Sequence, residues 1–359
     1  MIAFESPNRL RAFPSYLAGL GLLVFGASPA LAQIPPSVAD VAKDPSEVPA
    51  SPKGDVTVDL DVVEVVANLG PGPAWVWAFA TKDGKPTVPG PMIRVREGNH
   101  VTVNLCNKVG NIEPHNLDFH ASMGPGGGAA VTGVEPGECK TFTFKAMRQG
   151  AYIYHCAAEG MPWEHVSYGM YGLIQVDPPG YKEFYVGQSD WYLMPNGFQR
   201  PFLLTTDLVL DEAAALAEHP NLFTFNGHQS ALIDPLLFGE AIKVKQGDKV
   251  RFFVVTGGPN IGSNWHIIGT IFDQIYTGSR KTSVQNEETL YVPPGSAAVF
   301  ELSAPVPGKY LLVDHALWRA PKGAAGYMTV ECAVPLATDG SCPTWPIDIY
   351  SPEGFGTGH

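Results

Sequence analysis

The chain has 359 residues, of which 45% are hydrophobic and 16% charged, with 39 glycines, 33 prolines and a formal net charge of −12. That length accommodates two ordinary domains, and the Gly and Pro content favours short strands between many turns. The acidic balance argues against a nucleic-acid-binding surface.

Near the N-terminus, Arg9 and Arg11 precede an apolar run from Leu17 to Phe25 and then "ASPALAQ", where Ala30 and Ala32 satisfy the small-residue rule for cleavage before Gln33. The run is too short to remain as a membrane span. No cysteine stands at the cut, which gives a lipid anchor no support. Residues 1–32 are read as the signal peptide of an exported chain, and the Pro-rich segment 33–54 as a flexible tether.

From residue 55 the chain alternates apolar and polar residues with period two, as in "VTVNL" and "KVRFFVV", between Gly and Pro turns. "DEAAALAEH" is the main helical candidate. Three blocks recur in one order: "VREGNHV" with "VKQGDKV", "VEPGECKTFTF" with "VPPGSAAVFEL", and "RQGAYIYHCA" with "VPGKYLLVDHA". Matched blocks in the same order indicate a duplication. The expected architecture is all-β, two tandem Greek-key β-barrels or sandwiches at 55–178 and 179–335, with 336–359 as a tail.

Five cysteines leave one over. Cys332 and Cys342 lie close enough in sequence to pair, and Cys106 and Cys139 fall on candidate strands of one domain. Cys156 remains alone, and an unpaired thiol in an exported protein calls for an explanation.

Strand parity supplies one. Neighbouring residues on a strand face opposite ways, so His155 and Cys156 diverge. In "EPHNLDFHAS" the five-residue spacing of His115 and His120 separates them too, and Asp118 shares the face of His120. One group is then His115, Cys156, His165 and Met170, which matches the trigonal His₂Cys set with a weak axial Met of a type 1 copper site. Structural zinc would favour further Cys or His over a thioether. The other group is His120 and His155 beside Asp118, short of one metal ligand, with His266 and His315 of the second copy as the remaining candidates.

The motifs "PHNLDFHAS", "YIYHCA", "HVSYGMYG", "FNGH", "GGPN", "HIIGTIFD" and "LVDHA", spread over residues 55–331, resemble those of the two-domain cupredoxin copper-containing nitrite reductases. The resemblance implies a cupredoxin-like fold, a homotrimer and two coppers per chain. Type 1 copper would sit on His115, Cys156, His165 and Met170, and type 2 copper on His120, His155 and a neighbouring subunit's residue matching His315. Asp118 and His266 match the family's catalytic pair, and Ile268 its apolar cap over the substrate. It further implies nitrite as substrate, dissimilatory reduction to nitric oxide and water, and a periplasmic location. The electron would come from a small cupredoxin or c-type cytochrome, enter at type 1 copper, and pass through Cys156 and His155 to type 2 copper. A laccase-like multicopper oxidase would call for His-x-His pairs, which the sequence lacks. A non-catalytic electron-transfer cupredoxin would leave Asp118 and His266 idle. "SMGPGGGAA" lacks the Gly-Lys-Ser/Thr ending of a phosphate loop and reads instead as a flexible loop near the type 2 residues.

Overall fold

The strand Lys249–Gly258 shows how one sequence pattern builds two cores. Its run "FFVV" is apolar on both faces, as a strand covered on both sides requires. Phe252 and Val254 enter one cluster with Phe225 and Trp265, while Phe253 and Val255 enter another with Tyr171 and Tyr185. Each such aromatic or Val side chain contributes roughly 1.5–3 kcal/mol when fully buried.

The computed structural model describes residues 38–176, 180–196, 207–233, 242–346 and 348–349. The signal peptide, residues 33–37, the boundary expected at 178–179 and the last residues of the tail lie outside them.

Four sheets form two sandwiches. In the first, the strands Leu193–Pro195, Leu208–Leu210, Pro73–Thr81, Val56–Asn68, His100–Asn107 and Cys139–Lys145 follow in spatial order. Facing them are Ile93–Val95, Tyr171–Val176, Gly150–His155 and Asp118–Phe119. In the second, one sheet runs Leu222–Phe225, Lys182–Trp191, Lys249–Gly258, Ser296–Ser303, Phe272–Thr277 and Ser283–Glu287. The other runs Lys243–Lys245, Ala325–Glu331, Gly308–Asp314, Ser263–Ile267 and Thr289–Val292.

The duplication is visible in the pairing. Val56–Asn68 runs parallel to His100–Asn107, as Lys182–Trp191 does to Lys249–Gly258. Each V-x-x-G-x-x-V block is a strand, a turn with a left-handed glycine (Gly98 at φ 91°, Gly247 at φ 86°) and a second strand. The fold is therefore all-β and two-fold repeated. Each sandwich has its own core, and the third cluster, with Val41, Tyr171, Tyr185 and Phe253, draws on strands of both.

Two further features tie the sandwiches together. Arg94 grips Glu183 through two bonds at 2.6 and 2.7 Å, and Arg251 bridges Glu183 at 2.9 Å and Glu301 at 2.6 Å. All four are buried or nearly so, and removing one partner from such a chain costs about 3–5 kcal/mol. The other feature corrects the tether reading. From residue 38 the segment lies against the body: Val41 is fully buried, Val88 N donates to Val41 O at 3.0 Å, and Tyr185 N donates to Pro45 O at 2.8 Å. Asn226, in the left-handed region at φ 54°, donates its Nδ2 to Lys43 O at 3.0 Å. A Pro-rich stretch looks extended and unpaired locally; partners distant in sequence supply its hydrogen bonds.

Both candidate cysteine pairs are disulfides, Cys106–Cys139 and Cys332–Cys342, and Cys156 is a buried free thiol. The helical candidate is the short helix Glu212–Leu216, capped by Asp211, whose carboxylate accepts from Ala214 N at 3.0 Å.

Candidate metal centre

The strand Gly150–His155 delivers two groups to opposite faces. Tyr154 and Cys156 point into the first core and are fully buried, while His155 between them is half-buried on the other side. The pairing of Asp118 with His155 and Phe119 with Tyr154 extends the alternation across the strands.

On the inner side, three ligand-type atoms converge. His165 Nδ1 lies 3.3 Å from Cys156 Sγ and His115 Nδ1 lies 3.8 Å from it, with the two Nδ1 atoms 3.2 Å apart. His115 is held by a two-way bridge to Val134 (3.0 and 2.8 Å), and His165 by the helix Pro162–Ser167. Met170, fully buried, donates its N–H to His165 O at 3.2 Å and accepts from Cys156 N at 3.2 Å. The Trp77 ring meets the His115 and His165 rings edge-on and stacks on Tyr168 at 4.2 Å.

All three donors are removed from water. Burial pushes the Cys156 thiol up to about 12 despite the N–H donated to its sulfur by Asn116 at 3.3 Å. Burial, and then the His115 ring, hold His165 down to about 4, so it stays neutral with a lone pair available. His115 Nε2 stands 3.1 Å from Glu64 Oε1. Burial raises the Glu64 carboxyl, but hydrogen bonds from His115 and from the Glu113 and Ile112 N–H groups outweigh it and keep the group ionised. An ionised Glu64 accepts a hydrogen bond from Nε2–H, which leaves the Nδ1 lone pair free. A thiol and two imidazole nitrogens, desolvated and turned on one point, fit copper.

On the outer side, the donor atoms of Asp118, His120 and His155 lie within 4.8 Å of one another. His120 Nε2 and His155 Nε2 are 3.1 Å apart, and His155 Nδ1–H donates to Cys156 O at 2.9 Å. That bond aims Nε2 outward. Desolvation, then the His155 ring, lower His120 and favour its neutral, ligating form. The segment expected to be a flexible loop is a 3₁₀ turn, Pro125–Gly128, followed by the helical turn Ala129–Thr132. Gly127, left-handed at φ 52°, packs so closely that a Cβ there would lie 2.1 Å from Asp118 Oδ1.

His266, His315 and Ile268 form a separate set on the second sandwich. His266 Nδ1–H donates to Glu288 O at 2.6 Å, and its ring meets that of His315 at 5.3 Å. His315 is exposed just past the end of Gly308–Asp314, and Ile268 is 42% exposed two residues after His266. Among the described residues, His315 belongs to neither metal-capable group of the same chain.

The sequence reading passed over Glu64, Trp77, Asn116 and Glu288. Only Asn116, next to His115, carried a positional signal. Glu64 lies 51 residues from His115 and reaches it through tertiary packing.

The multicopper oxidase family profile matches residues 74–180. A copper-containing nitrite reductase of Neisseria meningitidis serogroup A is 41% identical over 312 residues, covering 83% of this chain and 76% of that protein. The solved copper nitrite reductase of Nitrosomonas europaea superposes with a TM-score of 0.65 at 30% identity, over 78% of this chain and 95% of that one. A multicopper oxidase superposes with a TM-score of 0.63 at 21% identity, over 81% of this chain and 98% of that one, a likeness of fold. With the identity spread over most of both sequences, the chain belongs to the family of copper-containing nitrite reductases and is an oxidoreductase.

Proposed function

We propose that the chain reduces nitrite to nitric oxide and water, taking up one electron and two protons per turnover. The observation that carries this reading is the back-to-back placement of two donor sets on adjacent residues, Cys156 inward and His155 outward. His115, Cys156, His165 and Met170 would hold type 1 copper. His120 and His155, with His315 of a neighbouring subunit, would hold type 2 copper. Copper bound there supplies one-electron redox chemistry and an open position for the nitrite oxygens.

The chain's own groups supply the rest. Asp118 stands beside both outer imidazoles, where a carboxyl can hydrogen-bond the substrate oxygen and hand over a proton. His266, fixed by Glu288 O, presents Nε2 as the second proton-relaying group. Ile268 offers apolar surface against which nitrite is confined. The peptide link of His155 and Cys156 is the shortest covalent route between the donor sets.

A homotrimer completes the outer site. His315 is exposed beside Tyr291 (51%), Leu317 (54%) and Trp318 (88%), all on or next to the sheet end bounded by the edge strand Thr289–Val292. Large apolar side chains at that exposure favour burial against another subunit. We assign the cupredoxin domains to 55–178 and 179–335, with the strands Leu193–Pro195 and Leu208–Leu210 of the second lent to a sheet of the first, the location to the periplasm, and the donor to a small cupredoxin or c-type cytochrome.

The test is metal analysis with electron paramagnetic resonance and nitrite turnover. Two coppers per chain, one type 1 and one type 2, are expected. Cys156→Ala should abolish the type 1 signal and the colour and leave type 2 copper in place. A single copper class, or a coupled trinuclear centre, would sink the reading.

A further inference from the structure

The residue before His315 is a carboxylate with no exposed surface. Asp314 Oδ2 accepts from Arg319 Nη1 at 2.6 Å and Gln188 Nε2 at 2.9 Å. Its Oδ1 accepts from Asn264 N and Asn264 Nδ2, both at 3.2 Å, and from Ala316 N at 3.1 Å. Five donors, one of them a guanidinium, satisfy the two oxygens, which a buried carboxylate cannot leave to water. Asn264 in turn accepts the His315 N–H on its backbone oxygen at 2.8 Å, and Arg319 also donates to Gly262 O at 2.8 Å. The residues on both sides of His315 are thus held to the strand Ser263–Ile267, which carries His266.

The repeat explains why a charge is buried there. Cys156 follows Gly150 by six residues, and Asp314 follows Gly308 by six; both are fully buried. Asp314 therefore occupies the inward position that holds the candidate copper thiolate in the first copy. With no cysteine there, the second copy holds an ion pair and hydrogen-bond network, and the next residue, His315, faces out.

We propose that Asp314 is a positioning residue for the outer metal site: with Arg319 and Gln188 it locks the strand end so that the His315 imidazole is preorganised for the metal. The proposal rests on the reading of His315 as a type 2 ligand. A loose strand end would have to be ordered at the moment of binding, so the effect should appear as weakened metal affinity.

The experiment strips type 2 copper from the unsubstituted enzyme and from His315→Ala, Asp314→Ala and Asp314→Asn, then reloads each by Cu²⁺ titration. Type 2 resonance reads occupancy, and the type 1 absorption serves as internal control. Asp314→Ala should weaken type 2 binding about 10–100-fold with the type 1 band intact. Asp314→Asn keeps an acceptor for Asn264 and Ala316 but loses the charge facing Arg319, and should fall between. Should Asp314→Ala fail to fold, the shift in Asp314→Asn decides alone. Unchanged type 2 affinity in the Asp314 variants, with His315→Ala deficient, overturns the positioning role only. Loss of the type 1 band in step with type 2 copper overturns it as well, since the effect would then be general. Full type 2 occupancy in His315→Ala overturns the ligand reading and this inference together.

Discussion

Asp118 and His155 face each other across one strand pair, yet the chemistry asks different things of them. In the proposed function His155 would offer a ring nitrogen to a metal, whereas Asp118 would hand over a proton beside it. Asp118→Asn should therefore keep both copper signals and lose about 10²–10⁴-fold in turnover, read from steady-state rates on protein of verified copper content. Loss of type 2 copper in that variant would make Asp118 a ligand. Away from the site, Asp190 is a buried carboxyl whose ionised form is disfavoured: burial pushes it up to about 6, against the hydroxyl donated by Tyr192 at 2.6 Å. Its folded value lies above the ordinary 3.8, so its contribution to stability is present at low pH and is lost as pH rises through about 6. Asp190→Asn should remove that dependence. Its stability relative to the unsubstituted protein should improve by up to about 3 kcal/mol between pH 4 and 7, measured by denaturant melts.

At the scale of elements, the turn Pro125–Gly128 is the piece that composition misdescribes. Four of its neighbourhood's residues are glycine, which suggests looseness, yet Gly127 is closely packed under Asp118. Its φ of 52° and the 2.1 Å approach of a would-be Cβ to Asp118 Oδ1 leave no room for a side chain. Gly127→Ala should push the turn off Asp118, lowering nitrite turnover at least tenfold while the type 1 absorption stays unchanged. Equal turnover in Gly127→Ala would show that the turn does not set the position of Asp118. The strand Gly150–His155 behaves the other way: alternation alone tells which of its side chains reach the core, because its pairing with Asp118–Phe119 keeps the pleat regular to the metal end.

At the scale of the whole molecule, the proposed type 2 site draws its residues from two sandwiches that do not bring them together within one chain. Asp118, His120 and His155 sit on the first sandwich, and His266 with His315 on the second, outside that cluster. Mixing inactive His315→Ala subunits with inactive His120→Ala subunits distinguishes shared from private sites. Mixed trimers contain interfaces where both histidines are intact, and activity should partly return. Verified mixed trimers with no recovered turnover would mean that each chain builds its own site.

What the sequence by itself determined was periodic and repeated: the all-β class, the duplication and the opposite facing of His155 and Cys156. These follow from a period of two and from matched blocks, which are local properties of the chain. The cysteine pairs were open at that level, because spacing does not place two sulfurs within bonding distance; the structure closes both and leaves Cys156 free. Only the tertiary structure brought Glu64 to His115 across 51 residues, seated residues 38–51 against the body, packed Gly127 under Asp118 and gathered five donors on Asp314. Each of these depends on which distant segment a sheet register or a turn carries to a given point, and no local pattern encodes that.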